Sequence, residues 1–383
     1  PGQAGEMSSE REHRIRRRIL GLCYAGLQSR TLRVEVLKAL RQVVSVDAVW
    51  WATADPATLL PTGAVVEEIP EQATPAFVVN EFLQDDVNKF VHLVRCGHAV
   101  SSLFAATRGH PTSSRRYREI LRPLGYGDEL RAVQATGSSC WGLMCLHRER
   151  ARAGFSDADA ELLRRLTPHL AQGLRTALLL PEATAAPAAS EGPGLLEVAE
   201  DLSPVAVTPA AEAWLAELPD WPPRRELPQA VCNVVGRLLA LERDDIGHVD
   251  LPPRVRIRTR SGRWLVLHAA RLVGPGADGR IAIMFELARP LDVAPLVLEA
   301  FGLTDREMQV MLLVLRGYST EQVSARLVIS PLTVQQHLKA IFDKTGVRSR
   351  RELVARIFAE QSRPTVSLPI ERIPPRGQDS GGR

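Results

Sequence analysis

The apolar positions of this chain change period several times over the first 290 residues, then settle into a short helical rhythm near its end. REHRIRRRILGLCYAGL and LRVEVLKALRQVV space their apolar residues as amphipathic helices do, and AVWWATA has the apolar run of a strand. A longer helical middle follows. ELRAVQAT and CWGLMCLHR then predict a hairpin that turns around Gly137 and Ser138. Ser156 caps a long amphipathic helix reaching about Leu179, with Leu162, Leu163, Leu166, Leu170 and Leu174 on its inner side. Helices mixed with antiparallel pairs predict an α+β domain over 10–180.

The stretch PEATAAPAASEGPG has no apolar period, and its Pro, Ala and Gly content predicts a linker over 181–193. A second α+β domain is expected over 194–290, with the strand-like GLLEVAE, a helix around PAAEAWLAEL, the hairpin VRIRTR-SGR-WLVLHAARL and a last strand IAIMFELA. A second boundary is expected near Pro290 to Pro295, and a disordered tail over 363–383, rich in proline and ending GQDSGGR.

Between these lies LTDREMQVMLLVLRGYSTEQVSARLVISPLTVQQHLKAIFDKTGVRSRRELVARI, residues 303–357, which predicts four consecutive short helices. A Ser or Thr at a helix start satisfies an orphan amide, and a Glu or Gln three residues on returns the bond. Thr304 with Glu307, Ser319 with Gln322 and Ser349 with Glu352 fit that box. The remaining start is Ser330 followed by Pro331, whose missing N–H is no loss at the first helical position. Gly317 and Gly346 stand where helices should stop. Only Val328 and Ile329 separate the second and third helices, the spacing of a helix-turn-helix.

Rotation of the third helix at about 100° per residue puts Val334, Leu338, Ile341 and Thr345 on one face. They belong against Val323, Leu327 and the first helix's Met308, Met311, Leu312 and Leu315. The opposite face carries Leu332, Gln335, Gln336 and Lys339. Gln pairs with both major-groove edge atoms of adenine and Lys reaches guanine acceptors, so Gln335, Gln336 and Lys339 have the chemistry to read bases. Ser330, Thr333, His337 and Lys344 are placed for backbone phosphates, beside the amides of the helix start. The bland alternative is a small helical bundle with a solvated polar face.

Charge is concentrated in the same place. Residues 326–356 hold seven basic side chains (Arg326, Lys339, Lys344, Arg348, Arg350, Arg351, Arg356) against Asp343 and Glu352, a net of +5, whereas the whole chain of 383 residues carries only +4. Two of the four lysines lie in the third helix.

The remaining composition excludes more than it suggests. No stretch approaches the 18 or so apolar residues of a membrane span, and no signal-peptide core follows the basic start, so a cytoplasmic protein is expected. Five cysteines (Cys23, Cys96, Cys140, Cys145, Cys232) lack the paired spacings of a disulfide framework or zinc knuckle. Asp85–Asp86 resembles a receiver's acidic pair but sits in a polar, helical-looking segment rather than after a buried strand. His92, Cys96 and His98 fit no standard zinc spacing, no GxxxxGK[ST] occurs, and His147 in its strand reads as structural. Trp50, Trp51 and Trp141 read as core more simply than as a pocket lining, and Arg14, Arg16, Arg17 and Arg18 as a solvated dimer contact more simply than as a further contact to DNA. No catalytic set, metal or cofactor is expected, and the protein is not expected to be an enzyme.

Residues 303–357 resemble the LuxR/FixJ-type C-terminal domain of bacterial transcription regulators, whose pattern runs LTxRE, a Gly closing the first helix, SPxTVxxHLxxIxxK and GVxSR. Matching it are Leu303-Thr304-Asp305-Arg306-Glu307, Gly317, Ser330 through Lys339, Ile341, Lys344 and Gly346-Val347-Arg348-Ser349-Arg350. The sequence departs at Ser324, where the family usually has Ala, and at Thr345, where it has Leu. The resemblance implies an all-α four-helix DNA-binding domain over 296–361. It places Gln335, Gln336 and Lys339 against bases and Thr333, His337 and Lys344 near the backbone, and makes the helix from Ser349 a dimer contact. Tyr117 to Leu174 resembles GAF-type sensor domains found ahead of this helix-turn-helix in actinobacterial regulators, and the second domain's element order resembles a PAS domain. Together these imply a homodimeric regulator whose partners are double-stranded DNA, RNA polymerase and a small-molecule effector, with no membrane. The alternative is a scaffold whose helix-turn-helix contacts another protein.

Overall fold

The computed structural model describes residues 2–180, 192–219, 227–243, 251–276 and 279–359. The linker expected over 181–193 falls outside them except for its last two residues, and the tail over 363–383 lies wholly outside.

The chain opens with α1 (Gly2–Tyr24) and α2 (Ser29–Leu40), then β1 (Ala48–Asp55) and β2 (Leu60–Glu67). Next come α3 (Thr74–Leu83), α4 (Phe90–Arg95), β3 (Val100–Ser102), the short α5 (Leu103–Ala106), β4 (Tyr126–Thr136), β5 (Ser139–Glu149) and α6 (Asp157–Leu178). The strands make one antiparallel sheet, β2-β1-β5-β4-β3. The expected hairpin forms, with Thr136 opposite Ser139 and Gly137 in the left-handed region at φ 60°. Ser156 caps α6 as expected: its Oγ accepts from the Asp159 amide at 3.2 Å while Asp159 Oδ2 accepts from the Ser156 amide at 2.8 Å. The five inner leucines of α6 are buried against α1, α2 and one face of the sheet.

The helical middle is corrected in part, because β2 and β3 are strands. Pro61 and Gly63 hide the pattern of β2, and a strand tolerates them there because β2 is at the sheet edge.

The second domain holds β6 (Gly194–Ala199), β7 (Pro204–Val207), α7 (Pro209–Glu217), α8 (Gln229–Glu242), β8 (Arg254–Arg258), β9 (Trp264–Arg271) and β10 (Arg280–Leu287). Its antiparallel sheet runs β7-β6-β10-β9-β8, the same sequence-relative order as the first. β7, another edge strand beginning with proline, has no signal in the apolar pattern. Trp214, Val234 and Phe285 are fully buried between this sheet and its helices.

The boundary expected near Pro290 to Pro295 falls within a helix, α9 (Pro290–Ala300). Pro290 occupies the start of the helix, where proline is tolerated, and Pro295 lies inside it. α9 is shared between cores: Val293, Leu296 and Val297 pack with the first domain and Trp264, while Ala294 and Leu298 pack with the helices that follow. An ion pair also joins the two sheets. Arg256 in β8 donates from its backbone amide and Nε to Asp55 Oδ2 of β1, both at 3.0 Å, and from Nη1 to the Asp292 carbonyl of α9. The chain ends in α10 (Asp305–Leu315), α11 (Thr320–Leu327), α12 (Pro331–Thr345) and α13 (Arg350–Ala359). Among the described residues no helix is long and apolar enough to cross a membrane.

Candidate nucleic-acid interface

The four terminal helices start where the caps predict. Thr304 Oγ accepts from the Glu307 amide and Glu307 Oε2 from the Thr304 amide, at 3.3 and 2.7 Å. Ser319 and Gln322 repeat the box at 3.3 and 2.8 Å. Ser330 Oγ accepts from the Thr333 amide at 3.0 Å, and Ser349 Oγ from the Glu352 amide at 3.1 Å. Gly346 ends α12 at φ 68°.

The turn between α11 and α12 depends on Val328, which lies in the left-handed region at φ 54° and ψ 50°, uncommon for a β-branched residue. Ser324 braces that turn: its hydroxyl donates to the Ile329 carbonyl at 2.5 Å, and the Ile329 amide donates back to the Ser324 carbonyl at 3.2 Å. The departure from Ala therefore adds a bond across the turn. At the other departure, buried Thr345 donates to the Ile341 carbonyl at 2.7 Å, as a hydroxyl inside a helix does. Arg306 also holds the turn, donating from Nη2 to the Leu327 carbonyl at 2.7 Å. Sequence reasoning gave Arg306 no role, because its acceptor is a backbone atom 21 residues away.

α12 packs on α10 and α11 through Val334, Leu338, Ile341 and Thr345, all buried. Leu332, Gln335, Gln336 and Lys339 are exposed in the whole chain, with Leu332 at 69 %. Gln335 Nε2 reaches Thr320 Oγ1 at 3.5 Å, which steadies it toward the same surface. Ser330 is exposed, and Thr333 and His337 are half-buried beside it. Lys344, expected near a phosphate, has partners within the chain. Its ammonium donates to Glu307 Oε2 at 2.6 Å and to the Gly302 carbonyl at 3.3 Å, so it ties α12 to the start of α10. Burial pulls the Glu307 carboxyl up, but the bonds from Lys344 and Thr304 outweigh it and hold the group below the usual carboxylate range. On α13, Leu353 is fully buried and the helix packs on α9, leaving Arg351, Glu352 and Ala355 exposed.

Elsewhere the candidate residues scatter. Asp86 lies in a loop after α3 rather than in a helix, and its carboxylate accepts from Asn80 Nδ2 at 3.0 Å and from the Arg116 amide. Cys96 Sγ and His92 Nε2 are 3.5 Å apart on an exposed turn. Trp51 and Trp141 are core, donating to Gln134 and Thr136, whereas half-buried Trp50 lines a cavity. His147 is buried with Glu129 and Cys145 in a cluster of metal-ligating types. Two guanidinium groups already occupy it: Arg116 Nη2 and Arg131 Nε lie 2.7 and 3.0 Å from Glu129 Oε2. Burial opposes ionisation of Glu129, yet Arg116 and Arg131 bring its carboxyl down to about 2, and their charge repels a metal ion.

One polar set escaped the sequence reading. Gln229, Asn233 and Arg237 recur at four-residue intervals in the apolar helix QAVCNVVGRLLALE, a spacing that itself is a signal.

Residues 302–357 match the GerE family, bacterial regulatory proteins of the luxR family. The chain is also similar to the crystal structure of the GAF domain/HD domain protein from Geobacter sulfurreducens, at 19 % identity and a TM-score of 0.30, over 42 % of this chain and 99 % of that one. A second similarity is to the VqsR LBD domain from Pseudomonas aeruginosa, at 16 % identity and a TM-score of 0.32, over 42 % of this chain and 95 % of that one. Two α+β domains with antiparallel sheets thus precede a helical domain, and residues 302–357 are a DNA-binding helix-turn-helix of the bacterial regulatory proteins, luxR family.

Proposed function

We propose that this protein is a cytoplasmic, homodimeric transcription regulator that reads double-stranded DNA with α12 and contacts RNA polymerase from promoter-bound sites. The observation that carries the reading is the exposed row of Gln335, Gln336 and Lys339 on a helix whose opposite face is fully packed. Gln335 and Gln336 pair with adenine edges, Lys339 with guanine acceptors, and Leu332 meets a thymine methyl. Ser330, Thr333 and His337 hold the phosphates flanking the helix start. Lys344 joins them only by exchanging Glu307 for a phosphate, which assigns it first to the stability of the domain. The dimer forms through α13, which sets half-sites about one helical turn apart. The two α+β domains act as sensors whose occupancy alters dimer geometry and hence DNA affinity.

Replacing Gln335, Gln336 and Lys339 together with Ala tests the assignment. Promoter fragments selected by genome-wide mapping should lose at least about tenfold in affinity, each good base contact being worth about 1–3 kcal/mol. Wild-type binding should weaken steeply with added salt. Unchanged gel shifts by the triple variant would sink the base-reading role and favour a scaffold whose helix-turn-helix binds protein.

A further inference from the structure

A cavity of about 480 Å³ lies between the first sheet and α8 of the second domain, a size suited to a small organic molecule. Its walls include Trp50, Phe77, Phe82 and Phe90, all from the first domain. α8 supplies a polar line of Gln229, Asn233 and Arg237, one helical turn apart.

Gln229 is already engaged, since its Oε1 accepts from Trp50 Nε1 at 2.7 Å. Asn233, 6 % exposed, has no side-chain hydrogen bond among the described residues. Arg237 is 3 % exposed, yet its Nε has no partner among the described residues. The hydrogen bond it makes to a described residue is a long one, from Nη2 to the Thr58 carbonyl at 3.5 Å, and its guanidinium lies 5.4 Å from the Phe82 ring centre. Arg116 and Arg131, buried to the same degree, each hold a carboxylate. Burial lowers Arg237 to about 10, which leaves it cationic at neutral pH.

The other charges at the cavity do not satisfy it. The charge of Glu81 reaches Arg237, but its carboxylate is held elsewhere, Oε2 accepting from Arg131 at 2.7 Å and Oε1 from the Phe90 amide at 2.9 Å. Glu67 pairs with Arg41, and Arg30 and Glu71 stand exposed at the rim. His147 is held neutral by burial, its ionisation pushed down to about 4. Among the described residues, then, a buried guanidinium with no carboxylate on it and a buried amide with no side-chain hydrogen bond face an aromatic cavity, the complement of a single negative charge on an apolar body.

We propose that the cavity binds a small aromatic monocarboxylate, with the carboxylate on Arg237 and Asn233 and the ring among Trp50, Phe77, Phe82 and Phe90. This rests on the reading of the α+β domains as sensors and names the chemistry of their signal. Since one wall belongs to each domain, the bound molecule clamps α8 against the first sheet.

The full chain is titrated with phenylbutyrate and with its uncharged amide, phenylbutyramide, following tryptophan fluorescence and the thermal midpoint. The acid should raise the midpoint and bind at least about tenfold more tightly than the amide, the gain expected of a charge-assisted pair. Arg237→Met should abolish that preference while raising the midpoint of the ligand-free protein, because an unpaired buried charge is removed. Asn233→Asp should do the same by supplying the missing carboxylate internally. Equal binding of acid and amide, no binding of either, or undiminished acid binding by a folded variant overturns the proposal. Gel shifts with ligand-free protein are measured separately, so failure of the cavity assignment leaves the DNA-binding result standing.

Discussion

The two sheets share one strand order and each packs helices on one face, yet the first also carries, on its opposite face, a buried charged cluster and a cavity. In the second domain α7 and α8 fill the packed face with Trp214, Val231, Val234 and Val235, all buried, and the result is an apolar core. In the first domain α1, α2 and α6 cover one face with a comparable core, while the other carries Arg116, Glu129, Arg131 and His147 beside a cavity. The strand order sets a frame, and the elements laid on it decide whether a face becomes packing or a site. α8 belongs to both outcomes. Its Val231, Val234 and Val235 point into the second core, and its Gln229, Asn233 and Arg237 line the cavity of the first.

The largest test of this contrast sets a charge against an indole. Arg116→Met removes the guanidinium that bonds Glu129, the Asn80 side chain and the Val87 carbonyl, leaving a buried carboxylate with Arg131 alone. Breaking one side of such a pair costs about 3–5 kcal/mol. Trp214→Ala empties the centre of the second core at a similar cost of about 3–5 kcal/mol. Denaturant titrations at pH 7 and pH 4 separate the two. The Arg116→Met penalty should shrink at the lower pH as the stranded Glu129 gains a proton, and the Trp214→Ala penalty should hold. If both stay constant, Glu129 is not the group that Arg116 stabilises.

Much of the helical end was legible because its signals are short-range. Each cap joins residues three apart, and the 3.6-residue period places Val334, Leu338 and Ile341 inward with no knowledge of the rest of the chain. The misses share one cause, a meaning settled by distant neighbours. Pro61 and Pro204 obscure strands that tolerate them only because those strands are at sheet edges, and nothing local shows that the segment from Pro290 to Pro295 is a helix packed from both sides. The acid that Lys344 meets is likewise hidden from local reading, because it lies 37 residues upstream. The polar line on α8 was written in the spacing. The surface it meets is not, since Gln229 finds Trp50 across 179 residues.

A smaller effect sharpens the contrast through pH. Burial pushes His147 down to about 4 in the folded protein, against an unfolded value near 6.5. Between those values the unfolded chain binds a proton that the native one refuses, so stability falls as pH drops from about 6.5 to about 4, by up to about 3 kcal/mol. Glu129 acts lower: its lowered pKa contributes stability above about 4.5 that is lost toward about 2. His147→Phe keeps a ring against Tyr126, 5.1 Å away, and should remove about one proton's worth of slope from the upper window only. Identical slopes for variant and wild type would mean that His147 is not buried as a neutral ring.

The smallest effect is expected where the two domains touch, at Gly236 of α8. A Cβ there would lie 2.7 Å from Phe82 Cδ2 and 2.8 Å from Val78 Cγ1, both on α3 of the first domain. Two terms compete in Gly236→Ala. Helix propensity favours the alanine by about 1 kcal/mol, and overpacking opposes it by about 1–3 kcal/mol. Phe82 lines the cavity, so its ring yields into that space rather than against backbone, which keeps the clash toward the low end. The net expectation is a loss of about 1 kcal/mol, read as a lowered thermal midpoint, together with weaker phenylbutyrate binding because the displaced ring takes up cavity volume. A raised midpoint would mean that propensity wins. α8 would then sit looser on α3 than this contact implies, and the first sheet would hold its cavity without being gripped by the second domain.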